Sequence, residues 1–524
     1  MAPLTEPRRV GRALLSVSDK SGLIELARRL AALGVELVAS GGSAAALREA
    51  GLEVVDVAAL TASPELLGGR VKTLHPRIHG GILARRDLAS DRADLERHAL
   101  AAIDLVVVNL YPFEQTVAKP GVSLAEAIEK IDIGGPSMIR SAAKNQAYVA
   151  VLVDPADYAP VLDELEANAG ALCQETRSRL ALKAFERTAR YDAAIHAWLA
   201  RESEPAGAGG LPARLSIELS RSADLRYGEN PHQRAALYGR FLEVAEPLHG
   251  KELSFNNIVD VQSALALILD FDPQESAAVA ILKHNTPCGV GSAETPEEAW
   301  QRAYATDPES PFGGIVVCNR PFDLALARAV DAIFSEVLIA PDYEPAALEL
   351  LRKKKARRLL RFHPEKLGRA EFDARRVYGG LLVQEPDLAQ VDLATCRVAT
   401  RRKPAEAELA ALAFAWKVVK HVKSNAIVFA APGRTLGIGG GATSRVDAIH
   451  HAVEKARRVG LELRGSALAS DAFFPFPDGL EVAAAAGITA CVQPGGSVRD
   501  EEVVAAADRL GLAMLLTGVR HFRH

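Results

Sequence analysis

The sequence predicts an α/β protein that begins with a mostly parallel sheet and continues into a second, strand-rich region. Two observations support this prediction. Over the first 200 residues, short apolar runs alternate with helical patterns, which is typical of βα units around a parallel sheet. From residue 201 the chain turns rich in Gly, Pro and Ala without any periodicity, which separates the first region from the rest.

Each element of the first region follows from its local pattern. Helices are predicted where apolar residues recur at helical spacing, and the first of them ends at Gly34. The predicted strands are the apolar runs at 13–18, 35–40, 52–58, 104–113 and 147–153. The predicted helices lie at 21–34, 43–51 and 176–200.

The domain organisation predicted for the 524 residues is a first domain at 1–200, a linker at 201–218 and a second part at 219–524. The second part contains two strand-rich stretches, which could be related subdomains although no clear sequence repeat connects them. Their strand-like runs lie at 277–289 and 313–322, and then at 425–441, 465–476 and 487–497.

Composition excludes several classes of protein. With 49% hydrophobic and 24% charged residues, the chain is neither disordered nor fibrous, and its net charge of −4 lacks the basic footprint of a nucleic-acid-binding protein. The basic run at 352–358 is interpreted as a solvated face rather than a nucleic-acid contact. No apolar stretch is long enough for a transmembrane helix, and the N-terminus lacks the apolar core of a signal peptide. Five cysteines without a CxxC pair argue against zinc and disulfides and fit a reducing cytosol.

The segment Ser40-Gly41-Gly42-Ser43 ends a predicted strand and opens a predicted helix. Backbone N–H groups at a helix N-terminus can hold a phosphate, and glycine lets the anion approach. An ordinary tight βα turn explains the tetrapeptide equally well. Ser18, Asp19 and Lys20 end the neighbouring strand and could contribute to the same site, because open α/β sheets bind ligands at the carboxyl ends of their strands.

The segment at 68–86 is too rich in glycine and cations to be core. Its Arg70, Lys72 and Thr73 are candidate phosphate or oxyanion groups. His75 and His79 have a spacing that suits a metal on a helix, but Pro76 and the paired glycines argue against a helix and therefore against a metal.

Further candidates of the first region follow strands or open helices. Asn109 and Tyr111 leave the end of a strong apolar strand, and Asp132 precedes a second glycine-rich helix start, with Lys144 further along that helix. Isolated Asp and Lys residues are usually surface charges. A cluster of Lys72, Tyr111, Asp132 and Lys144 would have a function only if the fold brings them together.

In the second part, the octet at 226–233 concentrates hydrogen-bonding side chains in a turn-rich segment, which indicates either a ligand site or a structural turn. Lys283 and His284 follow an apolar strand and enter a Pro/Gly turn, which suits a general acid–base pair. Cys288 could be a nucleophile, but without an identified base it is interpreted as a small buried residue.

Two further motifs allow more than one interpretation. The segment 437–442 matches the GxGxxA dinucleotide fingerprint, with Glu462 available for a ribose, but it lies late in the domain and no second βαβ half follows it. Arg445 would instead make this loop an anion site. The aromatic segment at 471–476 is either a core plug or a wall on which a flat heterocycle stacks.

Taken in order, these motifs resemble the family that joins AICAR formyltransferase to IMP cyclohydrolase, where AICAR is 5-aminoimidazole-4-carboxamide ribonucleotide. The resemblance runs almost end to end, and its order and spacing are far more specific than any single motif. The motifs are LLSVSDK, SGGS, GGRVKTLHP, NLYPF, IDIGGPSMIRSAAKN, RYGENPHQ, KHNTPCG, PFGG, HVKSNAIV, GIGGGATSR, SDAFFPF and QPGGS.

The resemblance implies a methylglyoxal-synthase-like parallel-sheet domain followed by two cytidine-deaminase-like α/β subdomains that lack zinc. It implies formyl transfer from 10-formyltetrahydrofolate to AICAR in the second part, and closure of the product, FAICAR, to IMP in the first. It also implies a cytoplasmic homodimer with the transferase site at the subunit interface. It implies no redox cofactor, zinc, nucleic acid or membrane, and leaves room for a structural monovalent cation.

The resemblance also assigns residues. In the cyclohydrolase site, Lys144 would transfer protons, while Lys72 and Tyr111 would stabilise charge and Asp132 would line the base. The nucleotide ligands would be Ser18, Asp19, Lys20, Ser40, Gly41, Gly42, Ser43, Arg70, Val71, Thr73, Asn109 and Ile133.

In the transferase site, the resemblance makes His284 the base, Lys283 its partner in charge stabilisation and Asn425 the group that orients the formyl carbonyl. Arg226 and Tyr227 would hold AICAR. The remaining ligand positions are Gly313, Glu336, Arg445, Phe473, Asp478, Ser497 and Arg520.

Two other functions remain as alternatives to this interpretation. One is a nicotinamide-dependent oxidoreductase built on the glycine loop at 437–442, which NADH binding would reveal. The other is a non-catalytic sensor that binds a phosphorylated metabolite at Ser40–Ser43, which any turnover would rule out.

Overall fold

The computed structural model describes residues 6–63, 67, 70–203, 211–367 and 372–524. The chain folds as two compact units, Met1–Glu218 and Leu219–His524. Two predicted features fall partly outside the described residues: Gly68 and Gly69 of the basic segment, and positions 204–210 of the predicted linker.

The first unit is built on a five-stranded parallel sheet with the order β4-β3-β2-β5-β6, beside a small antiparallel pair, β1 and β7. Its strands are β1 (Arg8–Arg9), β2 (Arg12–Val17), β3 (Glu36–Ala39), β4 (Val55–Asp56), β5 (Leu105–Asn109), β6 (Ala150–Leu152) and β7 (Ala171–Leu172). Its helices are α1 (Leu23–Ala32), α2 (Gly41–Glu49), α3 (Val57–Thr61), α4 (Pro76–Leu83), α5 (Ala89–Arg97), α6 (Phe113–Val117), α7 (Leu124–Glu129), α8 (Gly134–Lys144), α9 (Tyr158–Ala167) and α10 (Gln174–Ser203).

Apolar side chains are buried on both faces of this sheet, as a parallel sheet requires. Alternate residues of β2 point to opposite sides: Leu15 packs with Leu26 and Val161, whereas Leu14 packs in a second cluster with Ile139 and Ile82. Helices therefore cover both faces, and ligands can reach the sheet only at its ends.

The predicted strands and helices of this unit are confirmed, with three differences. The strand expected at 104–113 ends at Asn109, and Phe113 begins α6. The strand expected at 52–58 shortens to β4, because the Asp56 side chain accepts the Ala58 N–H and starts α3. The expectation that 76–83 is not helical is wrong, since α4 occupies these residues. Pro76 is the first helical residue, where its missing N–H does no harm, and Gly81 lets the helix pack closely, because a Cβ there would lie 2.3 Å from the Ala101 carbonyl oxygen.

The second unit contains a twelve-stranded mixed sheet with the order β10-β15-β14-β13-β11-β12-β20-β19-β21-β22-β23-β18, and two separate hairpins, β8–β9 and β16–β17. The strands are β8 (Arg221–Leu225), β9 (Ala235–Tyr238), β10 (Ala245–His249), β11 (Ala277–Lys283), β12 (Thr286–Ala293), β13 (Ile315–Cys318), β14 (Val337–Ala340), β15 (Arg358–Phe362), β16 (Asp373–Val377), β17 (Gly380–Gln384), β18 (Arg397–Val398), β19 (Ile427–Ala431), β20 (Arg434–Gly439), β21 (Ala467–Ser470), β22 (Ala490–Gln493) and β23 (Ala513–Leu516). The helices are α11 (Phe241–Val244), α12 (Phe255–Ile268), α13 (Pro296–Tyr304), α14 (Leu324–Asp331), α15 (Pro345–Arg352), α16 (Glu406–Val419), α17 (Arg445–Arg458), α18 (Asp478–Ala486) and α19 (Asp500–Arg509).

This sheet is an internal duplication. In each half a helix precedes an antiparallel hairpin, and three parallel strands separated by helices follow: α12 and β11 to β15 in the first half, α16 and β19 to β23 in the second. The two related α/β subdomains expected from the sequence are therefore present, side by side in one sheet.

The halves are joined where β12 meets β20. The strand pairing there is limited to Gly291 opposite Arg434, and a buried side chain supplements it. Thr435 Oγ1 accepts the Val290 N–H at 3.0 Å and lies 2.7 Å from Thr306 Oγ1, whose hydroxyl also reaches the Thr435 carbonyl at 2.8 Å. We call this group of side chains, Thr435 and Thr306 with the backbone of Val290, the seam.

The glycine fingerprint at 437–442 serves packing. Gly437 and Gly439 lie within β20, and a Cβ on them would lie 2.7 and 1.9 Å from carbonyl oxygens of α17. A dinucleotide fingerprint needs its glycines in the turn after a strand. The first half repeats the pattern, because Gly289 and Gly291 of β12 lie equally close to α13. This arrangement opposes the oxidoreductase interpretation.

Candidate active sites

The first unit has a cavity of about 680 Å³ at the carboxyl ends of its strands. Strands β2, β3 and β5 are parallel neighbours, so the residues that follow them meet at one edge. The predicted residues that line the cavity are Ser18, Ser40, Gly41, Gly42, Ser43, Arg70, Lys72, Thr73, Asn109, Tyr111, Asp132 and Ile133. Asp19 and Val71 are chain neighbours of lining residues.

Two lysines face the N-terminus of α2, a nine-residue helix that starts after Ser40. A Cβ on Gly41 would lie 3.4 Å from Lys72 Nζ, and one on Gly42 would lie 3.3 Å from Lys20 Nζ. Two ammonium groups beside the positive end of a helix give this turn a positive potential that favours an anion. This geometry supports the phosphate interpretation of the glycine turn.

Two of the predicted ligand side chains also hold the fold together. The Asn109 side chain accepts the N–H groups of Ser18 and Asp19 at 2.6 and 2.8 Å, and donates to the Asp19 carbonyl at 2.8 Å. Ser43 Oγ is buried and accepts the Val17 N–H at 3.0 Å. These side chains fix the strand ends around the cavity.

Asp132 is a mostly buried carboxylate in this cavity. Burial raises the pKa of Asp132, while hydrogen bonds from the backbone of Gly135 and Tyr111 oppose the rise. Its own N–H donates to the hydroxyl of Tyr191 at 2.8 Å, and that hydroxyl in turn donates to the Lys130 carbonyl. Sequence analysis missed Tyr191, which lies in the long α10 and shows no pattern of its own.

Exposed apolar side chains form one wall of the cavity. Tyr111 and Ile133 are 50% and 61% exposed, and Ile128, which sequence analysis missed, is 47% exposed. Such side chains suit the flat face of a heterocycle. Arg70 pairs with Glu129 at the rim, and this interaction raises the pKa of the Arg70 guanidinium.

Lys144 does not line this cavity. It is the last residue of α8, about 15 Å along the helix from Gly134, and it is exposed. His75 caps α4 through the Arg77 N–H at 3.1 Å, whereas His79 contacts Ser141 at 3.0 Å, so the two histidines have separate partners.

The transferase candidates of the second unit gather at one edge of the twelve-stranded sheet. β11 ends at this edge with Lys283, and β13 and β14, which run antiparallel to it, begin there after Gly313 and Glu336. In the second half, β19 begins at this edge after Asn425, and β20, β21, β22 and β23 end at it. We call this the His284 edge; the segments that leave it carry Arg445, Phe473, Asp478, Ser497 and Arg520.

His284 and Asn285 form the two-residue turn between β11 and β12. Lys283 Nζ donates to the carbonyl of Phe312 at 2.9 Å, which places it beside Gly313. Asp260 of α12, which sequence analysis missed, accepts the Asn285 N–H at 2.6 Å. The predicted acid–base pair therefore lies at the sheet edge. Lys283 contacts the segment before β13, and the turn that contains His284 contacts α12.

Asn425 belongs to a buried network in the second half. Arg445 Nη2 donates to Asn425 Oδ1 at 3.0 Å, and Arg445 Nη1 donates to Asp471 Oδ1 at 2.6 Å and Ser470 Oγ at 2.8 Å. The Asn425 amide donates to the Ala442 carbonyl at 3.0 Å. Asn425 is thereby fixed in orientation, while Arg445 is mainly the counter-ion of a buried carboxylate.

Other candidates have distinct surroundings. The Arg226 guanidinium lies 5.8 Å from the Tyr227 ring, in an octet that bonds to itself through Gly228 and Gln233. Arg358 Nη1 donates to Glu336 at 2.9 Å. Arg520 lies 4.4 Å from the ring of Phe522.

The aromatic segment divides between the two predicted roles. Phe474 is buried, as a core plug would be, whereas Phe473 and Phe476 are 37% and 47% exposed. Asp478 begins α18, and the Ser497 hydroxyl accepts the Arg499 N–H at 3.1 Å.

Two expectations about single side chains can now be settled. Burial raises the pKa of the Cys288 thiol to about 11, which supports a packing role. The expectation of a solvated face at 352–358 is wrong for Arg357, which is buried and donates to Asp331 at 2.7 Å, and for Arg358. Arg352, Lys353 and Lys355 of the same run are exposed, as expected.

Arg523, also missed, links the two halves at the His284 edge. Its N–H donates to Ser424 Oγ at 3.0 Å, next to Asn425, and its guanidinium donates to Ser263 Oγ at 3.4 Å. Among the described residues, no helix combines the length and apolarity needed to cross a membrane. Within the same ranges, no three His, Cys, Asp or Glu side chains are placed to share a metal ion.

Comparisons with known proteins now identify the family. The sequence profile described as "AICARFT/IMPCHase bienzyme" matches residues 142–455, and that of an MGS-like domain matches 22–137. The bifunctional purine biosynthesis protein PurH of Chloroflexus aurantiacus is 57% identical, covering 98% of this chain and 99% of that protein. PurH of Chlorobium chlorochromatii is 51% identical with the same coverage. A crystal structure of ForH matches 37% of this chain, and all of its own, at 41% identity and a TM-score of 0.35. The chain therefore belongs to the AICARFT/IMPCHase bienzyme family, the bifunctional enzymes that catalyse the last two steps of purine biosynthesis.

Proposed function

We propose that the second unit transfers the formyl group of 10-formyltetrahydrofolate to AICAR, and that the first unit closes the product, FAICAR, to IMP. In domain terms, cyclohydrolase chemistry belongs to residues 1–200 and transferase chemistry to 219–524, with 201–218 as linker. The observation that supports this division is that each candidate set lies within one unit, with most of its members at one end of the strands of that unit's main sheet.

Formyl transfer requires the weakly nucleophilic amine of AICAR to lose a proton as it attacks. His284 takes that proton, and the new C–N bond gives a tetrahedral intermediate with its charge on the former carbonyl oxygen. Asn425, fixed by Arg445, orients that oxygen, and Lys283 offsets its charge. Collapse breaks the bond to N10, which receives the proton that His284 took from the amine, with Lys283 assisting, and leaves as tetrahydrofolate. Arg226 and Tyr227 hold AICAR, and the remaining edge residues contact the two substrates.

Ring closure in the first unit is intramolecular, so it depends on positioning and proton movement. The carboxamide nitrogen of FAICAR attacks the formyl carbon, and the adduct loses water. Lys72 and Tyr111 stabilise the developing charge, and Asp132 accepts a hydrogen bond from the heterocyclic base of the substrate. The lysines at α2 support the phosphate position. Lys144 is retained as the proton-transfer residue on the family resemblance alone.

The same proposal includes a cytoplasmic homodimer whose transferase site lies at the subunit interface, without nucleic-acid or membrane partners. Sedimentation of the purified chain tests the dimer. A structural monovalent cation receives no residue assignment, and activity in potassium compared with tetramethylammonium buffer decides whether one is needed.

A crossed pair of variants tests the division of chemistry. We expect His284→Ala to lower formyl transfer about 10²- to 10⁴-fold while cyclisation of supplied FAICAR persists, because general-base catalysis contributes that much. Lys72→Ala should lower cyclisation of FAICAR while formyl transfer persists. Tetrahydrofolate and IMP are followed separately in one assay.

His450→Ala, which removes an exposed histidine of α17, is the matched control. Loss of both activities in either folded variant would contradict the proposal. So would normal formyl transfer by His284→Ala.

A further inference from the structure

The turn that carries His284 has an unfavourable backbone. His284 and Asn285 have φ values of 53° and 63°, in the left-handed region that side chains with a Cβ rarely adopt. Among the described residues of the second unit, they are the only non-glycine residues with positive φ; the other four, Ala62, Leu67, Ala99 and Ala169, lie in the first unit. Strain of this kind persists only when surrounding groups hold it.

The side chain of Asp260 supplies such a holding contact. Asp260 Oδ1 accepts the Asn285 N–H at 2.6 Å. The N–H of the second turn residue is therefore held by a carboxylate that comes from a different element, α12. Charge-assisted hydrogen bonds are roughly twice as strong as neutral ones, which suits a group that must hold a strained turn.

A carboxylate at this position is retained at a cost. Burial raises the pKa of Asp260, and the neighbouring Glu336 raises it further, while the backbone hydrogen bonds and the nearby His284 oppose the rise. The hydrogen bond from the Asn285 N–H offsets part of this cost.

The same face of α12 also contacts the side chain of Asn285 in the turn. Ser263, three residues after Asp260, donates to Asn285 Oδ1 at 3.3 Å. The Arg523 guanidinium reaches Ser263 from the C-terminal segment at 3.4 Å. The helix thus contacts the backbone and the Asn285 side chain of the turn, and leaves the imidazole of His284 for other partners.

We propose that Asp260 is a positioning residue for formyl transfer, which holds the left-handed His284–Asn285 turn by accepting the backbone N–H of Asn285. The inference rests on the proposed role of His284 as the base. A base displaced by about 1 Å can lose about 10²-fold in rate, so the holding contact affects catalysis even though it does not touch substrate.

Three variants of the full chain separate this role from others. Asp260→Ala removes the acceptor, Asp260→Asn keeps an acceptor oxygen without the charge, and Asp260→Ala with Asn285→Gly relieves part of the turn's strain, because glycine is preferred at the second position of such turns. We expect Asp260→Ala to lower kcat of formyl transfer about 10- to 100-fold, with KM for both substrates nearly unchanged. Asp260→Asn should retain most of kcat, and the double variant should recover most of what Asp260→Ala lost.

The controls are Asn285→Gly alone and Asp323→Asn, whose carboxylate accepts the Leu326 N–H at 2.7 Å at the opposite edge of the sheet. Asp323→Asn should keep normal formyl transfer, Asn285→Gly alone measures what loss of the Ser263 contact costs, and FAICAR cyclisation should be unchanged in every variant. Amide hydrogen exchange provides a readout without activity: the turn peptide should exchange faster in Asp260→Ala and slow again in the double variant.

Unchanged kcat in Asp260→Ala would overturn the inference. Equal losses in Asp260→Ala and Asp260→Asn, without recovery by Asn285→Gly, would also overturn it, because Asp260 would then act through its charge. Normal transfer by His284→Ala would defeat the proposed function instead, and hydrogen exchange would still report whether Asp260 holds the turn.

Discussion

The cyclohydrolase candidates surround a cavity at the end of one five-stranded sheet, whereas the transferase candidates lie along the edge of a sheet assembled from two repeats. In the first unit, parallel strands bring the residues together directly. In the second, His284 comes from one half and Asn425 from the other, so their relative placement depends on how the halves join.

This difference shows where each site is vulnerable. The first site depends on close packing around the cavity, where glycines leave room for Asp132 and Thr73. The second depends on the seam, where side-chain hydroxyls supplement limited strand pairing. Substitutions that affect packing or the seam should therefore impair one activity and spare the other.

The largest effect should come from the seam. We expect Thr435→Val to lower the free energy of unfolding of the second unit by about 2–4 kcal/mol, because the buried Val290 N–H and Thr306 hydroxyl lose a partner. Calorimetry with both activities followed against temperature checks this, and formyl transfer should fail first. Thr395→Val, at an exposed position, is the control. Simultaneous loss of both activities would show that the seam does not set the stability of the second unit alone.

The next effect should come from the cavity. A Cβ on Gly135 would lie 2.3 Å from Asp132 Oδ2 and 2.8 Å from Leu110 Cδ2, so Gly135→Ala must displace one of them. We expect cyclisation to fall about 100-fold with formyl transfer unchanged, measured with supplied FAICAR. Gly380→Ala, where a Cβ would meet nothing within 4 Å, should change neither activity. Normal cyclisation in Gly135→Ala would remove Asp132 from the chemistry.

The smallest effect should be a pH-dependent change in the stability of the first unit through Asp132. Because burial raises the pKa of Asp132, the ionised carboxylate opposes folding at neutral pH, and this cost disappears as pH falls through the folded-state pKa. We expect Asp132→Asn to stabilise the first unit at pH 7 by a few tenths of a kcal/mol while cyclisation falls. Chemical unfolding at pH 7 and pH 4 checks this, and the gain should shrink at the lower pH. A loss of stability at pH 7 would mean that the hydrogen bonds of Asp132 outweigh its burial.

Sequence analysis selected residues of the first unit that mostly line one cavity, because the signals there are local. The glycine turn at Ser40–Ser43 and the polar residues after β2 and β5 each follow a strand, and the carboxyl ends of parallel strands meet at one edge. It missed Tyr191, since a buried hydroxyl that reaches back to Asp132 from a distant helix leaves no pattern.

The second site was harder to predict because it depends on contacts between segments that are distant in the sequence. Asp260 and Arg523 act through backbone contacts with segments far away in the chain, which spacing does not reveal. One available signal was overlooked: the pairs Gly289/Gly291 and Gly437/Gly439 follow equivalent hairpin turns and precede equivalent helices. Taken together rather than as a cofactor motif, they would have disclosed the duplication.

The two hairpins of the duplicated sheet have diverged in the turns that close them. His284–Asn285 carries an ionisable side chain at the sheet edge, whereas Pro432–Gly433 packs on the other half, with the Gly433 carbonyl accepting the Ser292 N–H at 2.8 Å. A Cβ on Gly433 would lie 2.7 Å from the Ser292 carbonyl oxygen, so this turn is committed to assembly. The two copies of the turn therefore have different surroundings: one presents a candidate catalytic histidine at the sheet edge, and the other packs one half of the sheet against the other.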